Sequence, residues 1–556
     1  MQKPLVDYSL YLVTDSTEAI LGERNLVDVV EQAIAGGVTV VQYRDKTSDT
    51  GVLIHTAKEL HKICQKGNVP LIVNDRVDVV LAVGCEGVHL GQDDMDIVTA
   101  RKILGQDKII GATVSSIKEA QVAVEAGADY LGIGTLYATA TKKDTKSIIG
   151  INGIRKILYY LSHQKDDAAQ IVKSVCIGGV NASNVQRVRY QLHPPSGSQP
   201  QKVLDGVAIV SAIMAAEHPQ AAASHLKLLL DTPPPFKVKS TTAVSIPETE
   251  QDEINSIRTA TTKAIVAVSN QKPLSHNMTN LVVQNFAANV ALCIGASPIM
   301  SNNGDEAPDL ARLGGGLVIN MGTATPDSLA NHQKAIEAYN SVGGPIVLDP
   351  VGAGATAARK EALAFLMASG YFDLIKGNER EIMAVARASG FVLHDSESKS
   401  SQQRGVDSGT SLFSFEEKAY LVSRIALRER NVVLMTGKVD IVSDGMRTYS
   451  ISNGHSLLGE ITGSGCALGT TLAAYMAANP EDKLLACVAG IVHYDVAGQV
   501  AGAGDVQGPG TFIPAFLDQL SKTRTQVMNK AYSDIAFRME VKPIKNIPDC
   551  GLLREL

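Results

Sequence analysis

The chain of 556 residues lacks the features that mark secreted, membrane-spanning or nucleic-acid-binding proteins. Its 7 cysteines include no C-x-x-C pair, and a dispersed, odd set of thiols is typical of a reducing compartment, so we expect a cytoplasmic protein without a disulfide framework. Aspartates interrupt the N-terminal apolar residues, so we expect no secretory signal there. No run approaches the roughly 20 apolar residues that cross a bilayer. A formal net charge of −6 gives no general attraction for nucleic acid or anionic membranes.

Two familiar enzyme motifs are also missing. No G-x-x-x-x-G-K-[ST] sequence occurs, and none of the 12 histidines belongs to an H-E-x-x-H motif. The composition, 45% hydrophobic and 19% charged, is instead that of a soluble globular protein and argues against a disordered or fibrous chain. The length suggests several domains or two large ones.

One change of composition divides the chain. The segment TPPPFKVKSTTAVSIPETEQDE has three successive prolines followed by Ser, Thr and charged residues, which is typical of an extended linker. The alternative is a long surface loop inside one domain, but the two sides have different patterns. We therefore predict a first domain over 1–231, a linker over 232–255, a second domain over 256–535 and a tail over 536–556.

The first domain alternates short apolar runs with helix-like segments. Eight such runs occur at 10–15, 38–46, 69–75, 87–92, 109–114, 128–137, 172–180 and 205–213. Each is rich in β-branched residues and apolar along most of its length, as expected for parallel strands buried on both faces. An open doubly wound sheet is the competing architecture. The count of eight and the even spacing favour a (β/α)8 barrel.

Polar residues collect where these predicted strands end, which is where barrel enzymes bind their substrates. Arg44, Lys46 and Lys142 can hold phosphate oxygens. Asp75 and Asp94 are hard oxygen ligands suited to Mg²⁺. Taken alone, each aspartate could be a helix N-cap and the loop around Lys142 a solvated surface loop. Taken together, the strand ends predict Mg²⁺, a polyphosphate and a second phosphorylated ligand.

The order of six motifs gives this domain a family resemblance. QYRDK (42–46), VND (73–75), GVHLGQDDMD (87–96), TLYATATKKD (135–144), IGGVN (177–181) and VAIVSAI (207–213) resemble thiamine phosphate synthase. The resemblance implies that an aminopyrimidine diphosphate is bound by Gln42, Tyr43, Arg44, Asp45, Lys46, Asn74, Thr113 and Lys142. It implies a thiazole phosphate site formed by Thr139, Thr141, Gly179, Val210 and Ser211. Asp75 and Asp94 would hold Mg²⁺, and the thiazole nitrogen would displace pyrophosphate from the pyrimidine methylene.

The second domain is also predicted to be α/β, with strands in GGLVINMG, GPIVLDPVG, FDLIKGNE, RNVVLMTG and DIVSDG. Its most informative segment is GEITGSGCALGTTLAAYMA (459–477), in which glycines precede an apolar helix. Free N–H groups at a helix N-terminus can cradle phosphoryl charge, although such a loop can also simply start a packed helix. Asp349 and Glu381 could hold Mg²⁺, and Lys376 could meet nucleotide phosphate.

These segments resemble hydroxyethylthiazole kinase, a member of the ribokinase-like fold with three α/β layers. The resemblance implies Lys376 and Thr436 at ATP, Met300 and Gly463 at the thiazole alcohol, and Cys466 beside the hydroxyl group that is phosphorylated. A helix N-terminus can lower a thiol pKa, so Cys466 is expected to assist deprotonation, only to position the substrate, or to be a small buried residue. GAGD at 502–505 lies outside the expected motif order and is assigned no catalytic role.

The fused order resembles the bifunctional thiamine-biosynthesis enzymes of fungi, with small-molecule substrates and ATP as a co-substrate. That resemblance also implies a homo-oligomer, a trimer or hexamer built on the kinase domain, with neither nucleic acid nor membrane as a partner. Two alternatives remain open. One is a barrel synthase fused to a hydroxymethylpyrimidine kinase. The other is a non-catalytic sensor of thiamine precursors, which the presence of all four metal-binding carboxylates disfavours.

Overall fold

The computed structural model describes residues 3, 5–137, 148–165, 167–194, 202–237, 249–393, 411–530 and 533–555. The chain divides into two compact units, Met1–Pro234 and Pro235–Leu556. The division falls within the three successive prolines at the start of the predicted linker. Residues 238–248 of that linker lie outside the described residues.

Eight parallel strands close into a barrel in the first unit. They pair in sequence order, and β8 pairs with β1 to complete the circle. The predicted (β/α)8 barrel is therefore confirmed, and the open doubly wound sheet is excluded. The strands are β1 (Leu10–Val13), β2 (Val40–Tyr43), β3 (Leu71–Asn74), β4 (Gly87–Leu90), β5 (Ile109–Val114), β6 (Tyr130–Ile133), β7 (Lys173–Ile177) and β8 (Gly206–Ile209).

The helices of this unit follow the strands and cover the barrel. Several begin at the capping residues that the sequence offers; the Asn25 and Asp96 side chains accept backbone N–H bonds in the first turns of their helices. The helices are α1 (Glu18–Leu21), α2 (Leu26–Ala35), α3 (Thr50–Lys66), α4 (Val77–Val83), α5 (Ile97–Leu104), α6 (Ile117–Glu125), α7 (Gly150–Ser162), α8 (Asp167–Ile171), α9 (Val185–Leu192), α10 (Ser211–Met214) and α11 (Pro219–Asp231).

Alternation along the strands decides which side chains reach the barrel interior. Val41 and Leu71 face the helices, whereas Val40 and Ile72 belong to a separate interior cluster with Tyr130. Farther along these strands, the inward positions are occupied by polar residues. The side chains that result are Gln42, Asn74 and Thr113. Because parallel strands all point the same way, these polar positions gather at one end of the barrel.

The second unit is built on one nine-stranded sheet with the order β10-β9-β11-β12-β13-β15-β16-β17-β18. The first six strands in this order pair in parallel, and the remaining pairs are antiparallel. The strands of this unit are β9 (Leu274–Met278), β10 (Ser297–Ile299), β11 (Gly316–Asn320), β12 (Ile346–Asp349), β13 (Leu374–Asn378), β14 (Phe391–Leu393), β15 (Val432–Thr436), β16 (Asp440–Ser443), β17 (Thr448–Ile451), β18 (Val541–Pro543) and β19 (Leu553–Glu555). All five strands predicted from the sequence are present.

Helices lie on both faces of this sheet, because alternate strand residues enter two separate hydrophobic cores. Val318 and Val347 pack with one set of helices, whereas Ile319 and Leu348 pack with the other. The predicted three-layer α/β arrangement is confirmed. The helices are α12 (Glu250–Gln271), α13 (Gln284–Ile294), α14 (Ala307–Arg312), α15 (Pro326–Val342), α16 (Ala357–Ser369), α17 (Glu379–Ala388), α18 (Phe415–Glu429), α19 (Ser464–Ala478), α20 (Lys483–Gly502), α21 (Pro509–Met528) and α22 (Ser533–Arg538), with short 3₁₀ turns at Met321–Thr323 and Ser456–Gly459.

The structure differs from the sequence analysis in the last twenty residues, for which no element was predicted. β18 extends the main sheet beside β17, and β19 pairs with β14 in a small second sheet. Leu552 and Leu553 are buried. Three-residue edge strands carry too little periodicity to be recognised in a sequence, since their pairing depends on partners far away in the chain.

Helix α20 is long and apolar enough to cross a membrane, but the same is true of many core helices. Of its most apolar window, 83% is buried within the structure. It packs against α12, α19 and α21 of its own unit. It is therefore the central helix of one of the two hydrophobic cores of the second unit.

Candidate active sites

A cavity of about 830 Å³ opens at the carboxyl ends of the barrel strands. It brings together many of the residues predicted to bind the two phosphorylated ligands. The predicted residues that line it are Gln42, Arg44, Lys46, Asn74, Asp94, Thr113, Gly179, Val210 and Ser211. The predicted residues Thr139, Thr141 and Lys142 lie outside the described residues.

Two predicted residues take other places. Tyr43 follows Gln42 on β2, so strand alternation turns its side chain away from the barrel interior and into the helix-facing core. Asp45 accepts hydrogen bonds from the backbone N–H groups of Thr47 and Ser48, which stabilises the turn before α3. Neither residue is part of the cavity lining.

The carboxylates predicted to bind metal are close neighbours. Lys46 forms an ion pair with Asp75, and the N–H of Gly91 donates to Oδ2 of Asp94 at 2.7 Å. Burial and the adjoining Asp94 carboxyl raise the pKa of Asp75 to about 6. Burial also acts to raise the pKa of Asp94, but hydrogen bonds to that carboxyl outweigh it and lower the pKa. Asp75 and Asp94 therefore form a closely spaced pair of carboxyl groups beside the ammonium group of Lys46.

The opposite side of the cavity is formed by backbone. Gly178 and Gly179 follow β7 with φ of 109° and 68°, a conformation that glycine adopts without strain. The Asn184 side chain donates to the Gly179 carbonyl at 2.9 Å and fixes this turn. Val210 and Ser211 lie beyond the end of β8. This side suits an anion held by backbone N–H groups and a hydroxyl.

The sequence analysis missed three interior residues that line the cavity floor. These are Tyr11, His89 and Tyr130, which lie on β1, β4 and β6. Their signal is available in the sequence, because each occupies an inward position of a predicted strand. What the sequence does not contain is that they contact one another across the barrel.

In the second unit, Asp349, Lys376 and Cys466 converge at the carboxyl end of the parallel strands. Lys376 Nζ lies 2.8 Å from Oδ1 of Asp349. Asn320, another residue that the sequence analysis missed, donates its Nδ2 group to Oδ2 of Asp349 at 2.8 Å and lies 3.2 Å from the Cys466 sulfur. The Nδ2 group of Asn280 donates to Oδ1 of Asn320 at 3.1 Å. The sequence indicates only that Asn320 ends a strand, as Asp349 does.

Glu381 lies in the first turn of α17. Its two oxygens accept the N–H groups of Gly352 at 2.8 Å and Asn378 at 2.8 Å. Burial and the nearby Asp349 raise the pKa of Glu381 to about 7. Asn378 caps α17 and lies opposite Thr436 in the pairing of β13 with β15. The predicted ATP-binding Thr436 is thereby placed beside the turn that carries Glu381.

Gly463 is the N-cap residue of α19 with a φ of 84°, and a Cβ atom there would lie 2.6 Å from Cγ2 of Val283. The position therefore excludes side chains both by conformation and by space. Met300 follows β10 and packs against the core that contains α13 and α19. The adjoining Ser301 carbonyl contacts Nε2 of His276 at 3.0 Å.

The pKa of Cys466 bears on the three roles that the sequence analysis left open for this residue. The residue lies in the first turn of α19, but burial and the nearby Asp349 carboxylate raise the pKa of its thiol to about 12. The thiol is therefore protonated at neutral pH, because desolvation and a like charge outweigh the favourable helix N-terminus and Lys376.

Comparison with known proteins gives two family matches. The family described as thiamine monophosphate synthase matches residues 10–213, and the hydroxyethylthiazole kinase family matches residues 265–526. A probable thiamine biosynthetic bifunctional enzyme of Schizosaccharomyces pombe is 43% identical over 525 residues, 93% of this chain and 95% of that protein. The thiamine biosynthetic bifunctional enzyme of Saccharomyces cerevisiae is 37% identical over 545 residues, 93% of this chain and 96% of that one. A thiamine-phosphate synthase of Clostridium novyi is 41% identical over 221 residues, 40% of this chain and 98% of its own.

Proposed function

The chain belongs to the family of thiamine biosynthetic bifunctional enzymes, and on this premise we propose which residues carry each of its two activities. It is an enzyme with a thiamine-phosphate synthase domain followed by a hydroxyethylthiazole kinase domain. The kinase phosphorylates the thiazole alcohol with ATP, and the synthase joins the thiazole phosphate to the pyrimidine diphosphate. We assign the synthase to 1–231 and the kinase to 256–535. One observation supports the assignment of residues most strongly, namely the convergence of nine predicted ligand-binding residues on one barrel cavity.

In the synthase reaction a C–O bond to pyrophosphate breaks and a C–N bond to the thiazole forms. Arg44 and Lys46, with Lys142 beyond the described residues, bind the diphosphate and offset the charge on the leaving group. Gln42, Asn74 and Thr113 hold the aminopyrimidine. Gly179, Val210 and Ser211, together with Thr139 and Thr141, hold the thiazole phosphate within reach of the methylene carbon.

The carboxylate pairs fit Mg²⁺. Asp75 and Asp94 are crowded enough that burial and their mutual repulsion raise the pKa of Asp75, and a hard cation relieves such repulsion. Asp349 and Glu381 form the corresponding pair in the kinase, and both are buried. When bound at these pairs, Mg²⁺ supplies neutralising charge to the phosphate oxygens. Mg²⁺ typically takes one or two carboxylates plus substrate phosphate and water, so a carboxylate pair at each site would be sufficient to hold it.

In the kinase, Lys376 meets ATP phosphate while Thr436 lies at the nucleotide, and Met300 and Gly463 border the thiazole alcohol. Cys466 positions the substrate hydroxyl and does not take its proton, because burial holds the pKa of the thiol far above neutral pH. Asn320 orients both the Asp349 carboxylate and the Cys466 sulfur.

The enzyme is proposed to be a cytoplasmic homo-oligomer, a trimer or hexamer, assembled through the kinase domain. Leu281 and Val282 support this, since they are 81% and 75% exposed although they adjoin Asn280 of the kinase site. Apolar side chains exposed beside a site are typical of a surface that an assembly covers. The free state of all seven cysteines agrees with a reducing compartment. Light scattering that detects only monomers would contradict the assembly.

The decisive assay gives the purified protein hydroxyethylthiazole, ATP, pyrimidine diphosphate and Mg²⁺, and we expect thiamine phosphate. With the pyrimidine alcohol in place of the thiazole alcohol we expect no ATP turnover. Turnover of the pyrimidine alcohol alone would instead support the barrel fused to a hydroxymethylpyrimidine kinase. Binding of both precursors without any turnover would support the sensor.

A further inference from the structure

Five side chains form one continuous chain of hydrogen bonds through the barrel interior. Gln42 Nε2 donates to the Tyr11 hydroxyl at 2.9 Å, and the Tyr11 and Tyr130 hydroxyls are 2.6 Å apart. The Tyr130 hydroxyl lies 2.9 Å from Nδ1 of His89, and Nε2 of His89 lies 2.8 Å from Oγ1 of Thr113. The chain connects two residues that are proposed to bind the aminopyrimidine, although they lie on β2 and β5.

With the Gln42 amide nitrogen facing Tyr11, the protons in this chain can point in only one direction if each buried hydroxyl is to use its hydrogen. Tyr11 accepts a bond from Gln42, so its own hydrogen goes to Tyr130. Tyr130 then donates to Nδ1 of His89, which leaves the His89 proton on Nε2 and directed at Thr113. The reverse direction would give Tyr11 two donors and leave its hydrogen without an acceptor in a buried position, which is costly.

The direction of these hydrogen bonds determines whether Gln42 and Thr113, at the two ends of the chain, present a donor or an acceptor to a ligand. Because the Gln42 amide nitrogen faces Tyr11, its carbonyl oxygen is left to accept from a ligand. Because Thr113 accepts from His89, its hydroxyl hydrogen is left to donate. A 4-aminopyrimidine matches both ends, since its amine donates and its ring nitrogens accept. The 4-oxo analogue has an acceptor in place of the amine and would face the Gln42 carbonyl with like polarity.

We propose that Tyr11, Tyr130 and His89 are positioning residues that fix the orientation of the Gln42 amide and the Thr113 hydroxyl, and thereby select the aminopyrimidine over its 4-oxo analogue. This inference rests on the proposed pyrimidine site. Both tyrosines are buried, and burial raises the pKa of Tyr11 and of Tyr130, so both remain neutral hydroxyls. A substrate that presents a donor where the buried site needs an acceptor, or the reverse, loses far more in kcat/KM than a substrate that differs only in shape.

Loss of one link should reorient Gln42. In Tyr130→Phe the Tyr11 hydrogen loses its acceptor, and the Gln42 amide can supply one by turning over so that its carbonyl oxygen faces Tyr11. In Tyr11→Phe the Gln42 amide loses the hydroxyl to which it donates. In both variants the amide nitrogen can then face the ligand, where it suits the 4-oxo compound.

The test measures kcat/KM of the full chain with the diphosphates of the 4-amino and 4-oxo pyrimidines. We expect the amino-to-oxo ratio to fall about tenfold or more in Tyr11→Phe and in Tyr130→Phe, with no further fall in the double variant, because either change breaks the same chain. Tyr8→Phe is the matched control. Its ring lies 5.0 Å from that of Tyr130, but its hydroxyl is outside the chain of hydrogen bonds, so its ratio should stay that of the wild type.

The outcomes separate the possible failures. A purely structural role would lower kcat/KM for both substrates alike and leave the ratio unchanged, which would overturn the inference while the proposed function stands. Absence of any condensation in the wild type would overturn the proposed function itself. Thermal unfolding of the synthase unit, compared between each variant and the wild type, verifies that the barrel is folded. If the variants do not fold, ¹⁵N NMR of wild-type histidines decides, since a protonated Nδ1 at His89 contradicts the chain and a protonated Nε2 with a bare Nδ1 supports it.

Discussion

The ammonium group of Lys376 lies 2.8 Å from Oδ1 of Asp349, and both side chains are almost sealed from solvent. The two residues sit on the neighbouring parallel strands β13 and β12, whose carboxyl ends meet at the kinase site. Burial alone would lower the pKa of Lys376, but the Asp349 carboxylate outweighs it and raises the pKa. The protein thus keeps a charged lysine in a buried site, as its proposed contact with ATP phosphate requires.

Substitutions in this ion pair should affect the stability of the kinase unit and its activity in different ways. Lys376→Met or Asp349→Asn leaves the partner unpaired in a buried site, which costs about 3–5 kcal/mol. The double variant should recover most of that loss in calorimetric unfolding of the kinase unit, yet remain inactive as a kinase. Lys438→Met, at an exposed position of the next hairpin, should change neither property. Kinase activity in the double variant would contradict the role of the pair at ATP.

Cys466 should behave as a positioning thiol. A lost general base typically costs 10²–10⁴-fold in rate, so we expect Cys466→Ala to lower kcat by less than about tenfold and to leave the pH profile unchanged. Because burial raises the pKa of this thiol to about 12, alkylation at pH 8 should be slow. The exposed Cys550 provides an internal reference in the same mass spectrum. Faster labelling of Cys466 than of Cys550 would show that a thiolate forms there.

Asp440 and Asp495 should make the stability of the kinase unit depend on pH. Both carboxyls are buried and share a hydrogen bond; burial raises the pKa of Asp440 to about 6, and burial together with the Asp440 carboxyl raises the pKa of Asp495. A carboxyl whose pKa is raised on folding contributes stability that is complete below its unfolded pKa, near 4, and is lost as the pH rises through 6.

Asp495→Asn removes this charge, so we expect it to stabilise the kinase unit by about 2 kcal/mol at pH 8 and by much less at pH 5. The measurement is the temperature of half-inactivation of the kinase at both pH values. Asp518→Asn, on the exposed side of α21, is the control and should show no such difference. An equal effect at pH 5 and pH 8 would contradict a titrating pair.

Gly111 should be essential to the barrel interior. A Cβ atom at this position would lie 2.1 Å from Cζ of Tyr130, so Gly111→Ala must displace a buried ring. Overpacking of this kind costs about 1–3 kcal/mol, and here it should also lower condensation by disturbing the Tyr130 hydroxyl. Gly51→Ala lies in α3 with no atom within 4 Å of the new methyl group. That control should be neutral or slightly stabilising in thermal unfolding of the synthase unit.

Much of the fold could be predicted because strands buried in a parallel sheet appear in the sequence as short apolar runs. All eight barrel strands and five strands of the second sheet have this signature. β9 does not, because its residues Ser275, His276 and Asn277 are polar yet buried, and they are paired with groups elsewhere in the chain. A sequence contains the residue types but not these partners.

The residues of the candidate sites likewise include some that the sequence reveals and others that only the folded structure brings together. Charged strand ends such as Lys46 and Asp94 could be recognised one by one, since each stands at the end of an apolar run. The contact between Tyr11 and Tyr130, 119 positions apart, depends on closure of the barrel. The role of Cys466 stayed open in the sequence analysis, because a helix N-terminus is visible in a sequence whereas the depth of burial and the proximity of Asp349 are not.

The most direct test of two separate sites on one chain is a paired measurement of both activities in Asp94→Ala and Gly463→Val. Asp94→Ala should abolish condensation and leave thiazole phosphorylation at the wild-type rate. Gly463→Val should do the reverse, because its side chain would collide with Val283 at the kinase site. Loss of both activities in either folded variant would contradict the division of labour between the two domains.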